Sequence, residues 1–299
     1  MEITSKTKTA NKLRRKNTWT ALSFIVPNFI GFFLFTLIPV ICSLILAFMS
    51  WDSFSTPEFV GMKNFTKMIH DDTFWISLKQ TFIYTIGVVP LTLICSLGLA
   101  ILLNRKIRGM KFFRTAFFPY VTSLVAIAVV WNMLFHPTMG PINQFLKLFI
   151  ENPPGWTSSS TWALPAIIIV SVWRFMGYYM ILYLAGLQSV PRELYEAASM
   201  DGAGKWNQFL NVTLPSLRPT TFFVTIMLVI NCFKVFDLVQ VMTGGGPGRA
   251  TNVLVYEIYN EAFVKFNFGY ASAIAMVLFI IVLAITVAQF KWNQHQEKV

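Results

Sequence analysis

Phe82-Ile-Tyr-Thr-Ile-Gly-Val-Val-Pro-Leu-Thr-Leu-Ile-Cys-Ser-Leu-Gly-Leu-Ala-Ile-Leu-Leu103 runs for 22 residues without a charged side chain. A helix rises about 1.5 Å per residue, so about 20 residues cross the roughly 30 Å of hydrocarbon in a bilayer. The stretch reads as a transmembrane helix. Five more qualify, at roughly Ala21–Met49, Phe113–Phe135, Trp162–Leu187, Thr220–Met242 and Tyr270–Phe290. Pro27, Pro39, Pro90, Pro119 and Pro165 fall in or near these runs, where a membrane helix tolerates them. The expected fold is an all-α integral membrane bundle of six transmembrane helices.

Composition agrees. Of 299 residues, 55% are hydrophobic and 12% charged, about half the charged share of a soluble domain. So much apolar surface cannot all be buried in one soluble core of this size. The net charge of +11 does not point to nucleic acid, because the basic residues flank the apolar runs. Cys42, Cys95 and Cys232 lie inside those runs and read as packing residues. His70, His136 and His295 are far apart, with no metal-ligand spacing.

Lys and Arg set the orientation. With the N-terminus in the cytoplasm, sixteen fall in inner segments and six in outer ones, while Arg174 and Lys234 lie within helices. Both termini are expected inside. The division is then a basic cytoplasmic N-terminus over 1–20, a transmembrane domain over 21–290 with an inner loop at 188–219, and a cytoplasmic tail over 291–299. The first run is too long for the apolar core of a cleaved signal.

The inner loop reads Val190-Pro-Arg-Glu-Leu-Tyr-Glu-Ala-Ala-Ser-Met-Asp-Gly-Ala-Gly-Lys-Trp-Asn-Gln-Phe-Leu-Asn-Val-Thr-Leu-Pro215. Pro191 suits a helix start, Arg192–Met200 holds good helix formers, and Gly202 with Gly204 supplies the stop. Leu194, Ala197, Ala198 and Asp201 share one small, mostly apolar face. Arg192, Glu193 and Glu196 form a charged edge. Such a helix either connects two spans along the interface or seats in a pocket of another protein.

Glu196-Ala197-Ala198, Asp201-Gly202-Ala203, Phe209 and Leu214-Pro215 resemble the EAA loop of bacterial ABC-importer permeases at that family's spacing. Val212 departs from the family's usual Ile. The flanking Val190–Glu196 resembles the carbohydrate-uptake branch, the maltose and glycerol-phosphate permease type. Further likenesses are Phe59–Phe65 with Asp72–Trp75 to the first outer loop, and Leu103–Arg114 to the first inner loop. Trp131–Phe135 with Pro137 and Gly140 resembles the end of the third helix, and Thr243–Pro247 the glycine-rich segment after the fifth. The resemblance implies a subunit of the bacterial cytoplasmic membrane that imports sugar by alternating access. It implies a second homologous permease, two ATP-binding cassette subunits and an extracellular solute-binding protein as partners. Carried over, Glu196, Ala197, Ala198, Asp201 and Gly202 are the coupling residues that meet the ATPase.

The chain itself is expected to be non-catalytic and to hold no cofactor, with ATP and Mg on the partner ATPase. Gly204-Lys205 is followed by Trp206 and position 199 is Ser, so a phosphate-binding loop fails twice. Within the spans, charged groups are costly and face a cavity or a partner. Asn231, Lys234, Asp237 and, at its edge, Gln240 are expected on one broad face of the fifth helix, and the resemblance to sugar permeases implies that this segment contributes to a sugar-contacting path. Lys234 and Asp237, three apart, equally suit a mutual pair. Arg174 with Tyr178 and Tyr179 is the second candidate cluster, and Asn132 suits a bond between helices. Thr243–Gly269 is expected to line the outer mouth or to lie along the interface. The favoured cargo is an oligosaccharide, with glycerol phosphate as rival. The readings from other classes are an ion-gradient carrier, which has no use for an ATPase-docking helix, and a membrane scaffold.

Overall fold

A computed structural model describes residues 20, 22–104 and 123–296. The basic N-terminal expectation, most of the first inner loop, the first half of Phe113–Phe135 and the last three residues lie outside the described residues. Helix α1 spans Leu22–Leu46. A short antiparallel hairpin follows, β1 Met49–Ser50 with β2 Glu58–Phe59, pairing Met49 with Phe59 and Ser50 with Glu58. Then come α2 Lys63–Ile69, α3 Asp72–Leu103, α4 Leu124–Leu134, α5 Pro141–Leu146 and α6 Ala163–Ser189. The second half holds α7 Arg192–Met200, α8 Lys205–Ser216, α9 Arg218–Phe233, α10 Asp237–Met242, α11 Leu254–Tyr259 and α12 Phe268–Gln296.

Four of these helices, α1, α3, α6 and α12, are long and apolar enough to cross a membrane, and the bent pair α8–α9 makes a possible fifth. Helix α3 starts ten residues earlier than its apolar run. Asp71 caps it by accepting from Thr73 N at 2.8 Å, satisfying an otherwise orphan donor of the first turn. The strict all-α expectation is corrected by the hairpin, two residues on each side.

The packing centre is α3 against α6. The buried face of α3 repeats at helical spacing through Ser77, Thr81, Tyr84, Val88, Thr92, Ser96 and Ala100. Its exposed face carries Ile83, Ile86, Leu91, Ile94 and Leu102. This inverts the soluble pattern. Lipid solvates the large apolar groups, while small residues let two helices approach closely. Their hydroxyls bond back to the preceding turn, Thr81 to Ser77 O at 2.7 Å and Ser96 to Thr92 O at 2.6 Å. Tyr84 donates across the seam to Ser171 on α6 at 2.7 Å.

The expected span Thr220–Met242 needs correcting. The helix stops at Phe233, with Lys234 at its C-cap, and restarts at Asp237. Phe233 is buried and packs edge-on against Phe82, while Phe236 packs against Tyr259 at 5.0 Å between centroids. Two rings three residues apart would share a face of a continuous helix. Here they engage different neighbours, and the backbone yields between them.

A second small core joins the ends of α1 and α12 with α2 and α3, through Ala47, Met68, Phe74, Tyr270 and Ile274. Gly269 sits so close to the Met49 carbonyl that a Cβ would overlap it, whereas Gly98 faces open space. Gly269→Ala is expected to destabilise by about 1–3 kcal/mol through overpacking. Gly98→Ala is expected to stabilise by roughly 0.5–1 kcal/mol. Thermal unfolding of the two purified variants checks the opposite signs.

Candidate coupling helix and intramembrane path

Helix α7 ends as its sequence suggests. Gly202 has φ +77°, a conformation open to glycine. Ala203 N donates to Ala198 O at 2.9 Å and Gly202 N to Ser199 O at 3.1 Å, the two bonds of a Schellman cap. No residue of α7 is buried. Glu196, Ala197, Asp201 and Gly202 are exposed, and Ala198 is half-buried. Large apolar groups stand out beside them: Met200 is 89% exposed and Trp206 69%.

The exposed helix is braced from behind. Tyr195 Oη and Thr213 Oγ1 lie 2.9 Å apart, and Gln208 Nε2 donates to Ser199 Oγ at 2.9 Å and to Ala203 O at 3.1 Å. These bonds fix α7 to α8. Helix α8 bends by 64° into α9 at Leu217, which is fully buried. Beside it, Gly186 of α6 leaves so little room that a Cβ would lie 2.9 Å from Leu217 Cδ2. Short, packed links thus connect α7 to α9.

The expected polar face of the fifth helix is broken up. Lys234, Asp237 and Gln240 are exposed around the break, not stacked along one helix, and no Lys234–Asp237 ion pair forms. A disrupted helix cannot hold the three-residue register that such a pair needs. Asn231 instead turns to α6 and donates to Tyr179 Oη at 3.3 Å. On α6, the Tyr178 ring packs against Tyr179 at 5.1 Å, and the Arg174 guanidinium lies 5.3 Å from the Phe175 centroid. Asn132 on α4 donates to Val241 O at 3.3 Å, tying α4 to α10. The structure therefore joins Asn231 to the tyrosine cluster and leaves Lys234, Asp237 and Gln240 exposed around the helix break. Tyr84 and Ser171, unmarked among the sequence candidates, bond in the same bundle. Their signal was the hydroxyl spacing within apolar runs.

At the other end of the bundle, Gly244, Gly245 and Gly248 take positive φ, and Tyr256 Oη donates to Gly244 O at 2.7 Å. Glu257 and Glu261 are buried. Lys265 reaches both, Glu257 at 3.5 Å and Glu261 more closely, while Asn252 and Asn267 donate to the outer oxygens. Burial pulls the Lys265 ammonium down, but the bond to Glu261 and both carboxylate charges hold it above its usual range. Burial likewise opposes the Asp71 carboxylate, and the bonds from Tyr270 and Thr73 outweigh it and lower its pKa.

Residues 93–291 match the family described as binding-protein-dependent transport system inner membrane component. The chain is 34% identical over 281 residues to the sn-glycerol-3-phosphate transport system permease protein UgpA of Agrobacterium fabrum, covering 91% of this chain and 94% of that one. It is 34% identical over 301 residues to the diacetylchitobiose uptake system permease protein NgcF of Streptomyces coelicolor, covering 94% and 85%. In fold it is similar to a chain of a bacterial ABC transporter involved in import of the acidic polysaccharide alginate. The TM-score is 0.82 at 22% identity, over 94% of this chain and 96% of that one. A second structure of the alginate transporter, in complex with alginate pentasaccharide-bound periplasmic protein, gives 0.80 at 22% identity over 92% and 93%.

Asp71 offers a pH test. Its pKa is lowered by folding, so its charge contributes stability above the ordinary carboxylate range, near pH 4. That contribution is lost as pH falls through the folded value. Asp71→Asn keeps a capping oxygen but no charge. Wild type is expected to melt above Asp71→Asn at pH 7, and the difference to shrink as pH is lowered below the ordinary carboxylate range.

Proposed function

Because this chain belongs to the binding-protein-dependent transport system inner membrane components, we propose that it carries an oligosaccharide across the bacterial cytoplasmic membrane in an ATP-driven importer. It is a multi-pass, non-catalytic permease subunit of the carbohydrate ABC type. The observation that carries the proposal is α7: a capped helix with no buried residue, braced onto α8 and, through buried Leu217, onto α9. A gradient-driven carrier has no need of such a helix.

In this reading two ATP-binding cassette subunits, holding ATP and Mg, take up α7 with Glu196, Ala197, Ala198, Asp201 and Gly202 at the contact. Their closure pulls α7, and α8–α9 tilts the bundle from inward-open to outward-open. Moving such an equilibrium from 1:99 to 99:1 requires about 5.5 kcal/mol of bias. Six spans with both termini cytoplasmic follow if α4 belongs to a full third span and α8–α10 to a broken fifth. The second, homologous permease is supported by α1, whose apolar window has 0% of its residues buried within the chain. A solute-binding protein meets the opposite end, around Thr243–Gly269.

Substrate passes the polar groups of α6 and α9–α10: Arg174, Tyr178, Asn231, Lys234, Asp237 and Gln240. Amides, phenols and carboxylates hydrogen-bond sugar hydroxyls. The relatives divide, one named for glycerol phosphate and one for diacetylchitobiose. A phosphate dianion calls for more cationic groups than Arg174 and Lys234, which favours the neutral glycan.

In the assembled transporter, Gly202→Leu or Glu196→Arg is expected to leave ATP hydrolysis measurable while sugar uptake falls at least about tenfold. Wild-type uptake in both variants would refute the coupling role. In proteoliposomes with the cognate binding protein, labelled oligosaccharide is expected to accumulate and glycerol phosphate not. The reverse would replace the substrate.

A further inference from the structure

At the α7 end of the bundle, a groove of about 610 Å³ opens between α8, α9 and the last turns of α12. Its walls are apolar, from Leu210 and Leu214 on α8, Phe222 on α9 and Trp292 on α12. Its polar lining is Arg218, Thr221, Thr225, Gln289 and Asn293, of which Arg218 and Gln289 matter most here. Arg218, at the start of α9, is exposed and makes no ion pair among the described residues. Gln289 on α12 lines the groove, and its buried Oε1 accepts no hydrogen bond among the described residues.

The depth of this groove is set by α12. Tyr270 is anchored at one end of that helix by its 2.7 Å bond to Asp71. Gln289 lies nineteen residues further on, about 28 Å along the axis, and Trp292 about 33 Å. The hydrocarbon layer is roughly 30 Å thick. Gln289 and Trp292 therefore stand at the level where acyl chains meet headgroups, and Trp favours that layer. A bare cation there faces phosphate, while the apolar walls face acyl carbon.

We propose that this groove binds one anionic phospholipid with a hydroxyl-bearing headgroup, the chemistry of phosphatidylglycerol. Arg218 pairs with the phosphodiester as a fork of charge-assisted bonds. The Gln289 side-chain amide lines the groove and hydrogen-bonds a headgroup hydroxyl, which a choline headgroup lacks. The first acyl carbons lie along Leu210, Leu214 and Phe222. Because α8 and α9 meet here at their 64° bend, the lipid sits against the link between α7 and the bundle.

Native mass spectrometry of the delipidated, intact transporter complex tests this, with phosphatidylglycerol or phosphatidylcholine added back. Wild type is expected to retain one phosphatidylglycerol under collisional activation that strips phosphatidylcholine. Arg218→Gln should lower that retention about tenfold, the scale of a hydrogen-bonded charge, and Arg218→Lys should restore part of it. Gln289→Leu should lower retention severalfold and carries the test if Arg218→Gln fails to assemble. Equal retention of both lipids by wild type, unchanged retention in a well-assembled Arg218→Gln complex or in Gln289→Leu, or a protein segment filling the groove in the complex would overturn the proposal.

Discussion

Inside a bilayer no water is available to satisfy a backbone N–H or carbonyl. That constraint makes the chain helical, and the seam between α3 and α6 shows how helices then hold together. Lipid tails are as apolar as leucine, so burying leucine between helices gains little from solvent. Close approach and hydrogen bonds must serve instead. Serines, threonines and alanines therefore line the buried face of α3, and isoleucines and leucines its outer face. The Tyr84–Ser171 bond crosses the same seam.

Against this fixed pair, the second half of the chain is built from short helices joined at breaks. The C-terminal cap of α7, the 64° bend at Leu217 and the interruption after Phe233 divide it into stiff pieces. In the proposed function, these joints are where displacement of α7 would reach α9. The joints are made by particular contacts: Gly202 at positive φ, Leu217 beside Gly186, and Phe236 against Tyr259. Each places a change of direction where a neighbouring helix supports it.

The far end is tied by charge. Buried Glu257 and Glu261 share Lys265, while Asp71 receives Tyr270 and caps α3. Lys67 lies 3.9 Å from the Tyr270 ring centroid, so α2, α3 and α12 meet at one side chain. The bundle is thus anchored electrostatically at one end and presents an unburied helix at the other.

Sequence alone determined what depends on local composition and spacing. Apolar run length marked the long helices, because bilayer thickness is fixed. The start and stop of α7 were legible in Pro191 and Gly202, since helix ends are set by backbone chemistry within a few residues. The absence of a phosphate-binding loop was legible for the same reason. Only tertiary structure decided which polar groups meet. A helical wheel places Asn231, Lys234 and Asp237 together, yet the helix is interrupted between Phe233 and Asp237, and Phe233 and Phe236 meet different rings. Asn231 then finds Tyr179, 52 residues away. The buried pairing of Glu257 and Glu261 with Lys265 and the Asp71–Tyr270 bond needed the folded chain as well. Periodicity reports the face a residue occupies on its own helix, and only packing decides whether that helix continues and what lies opposite.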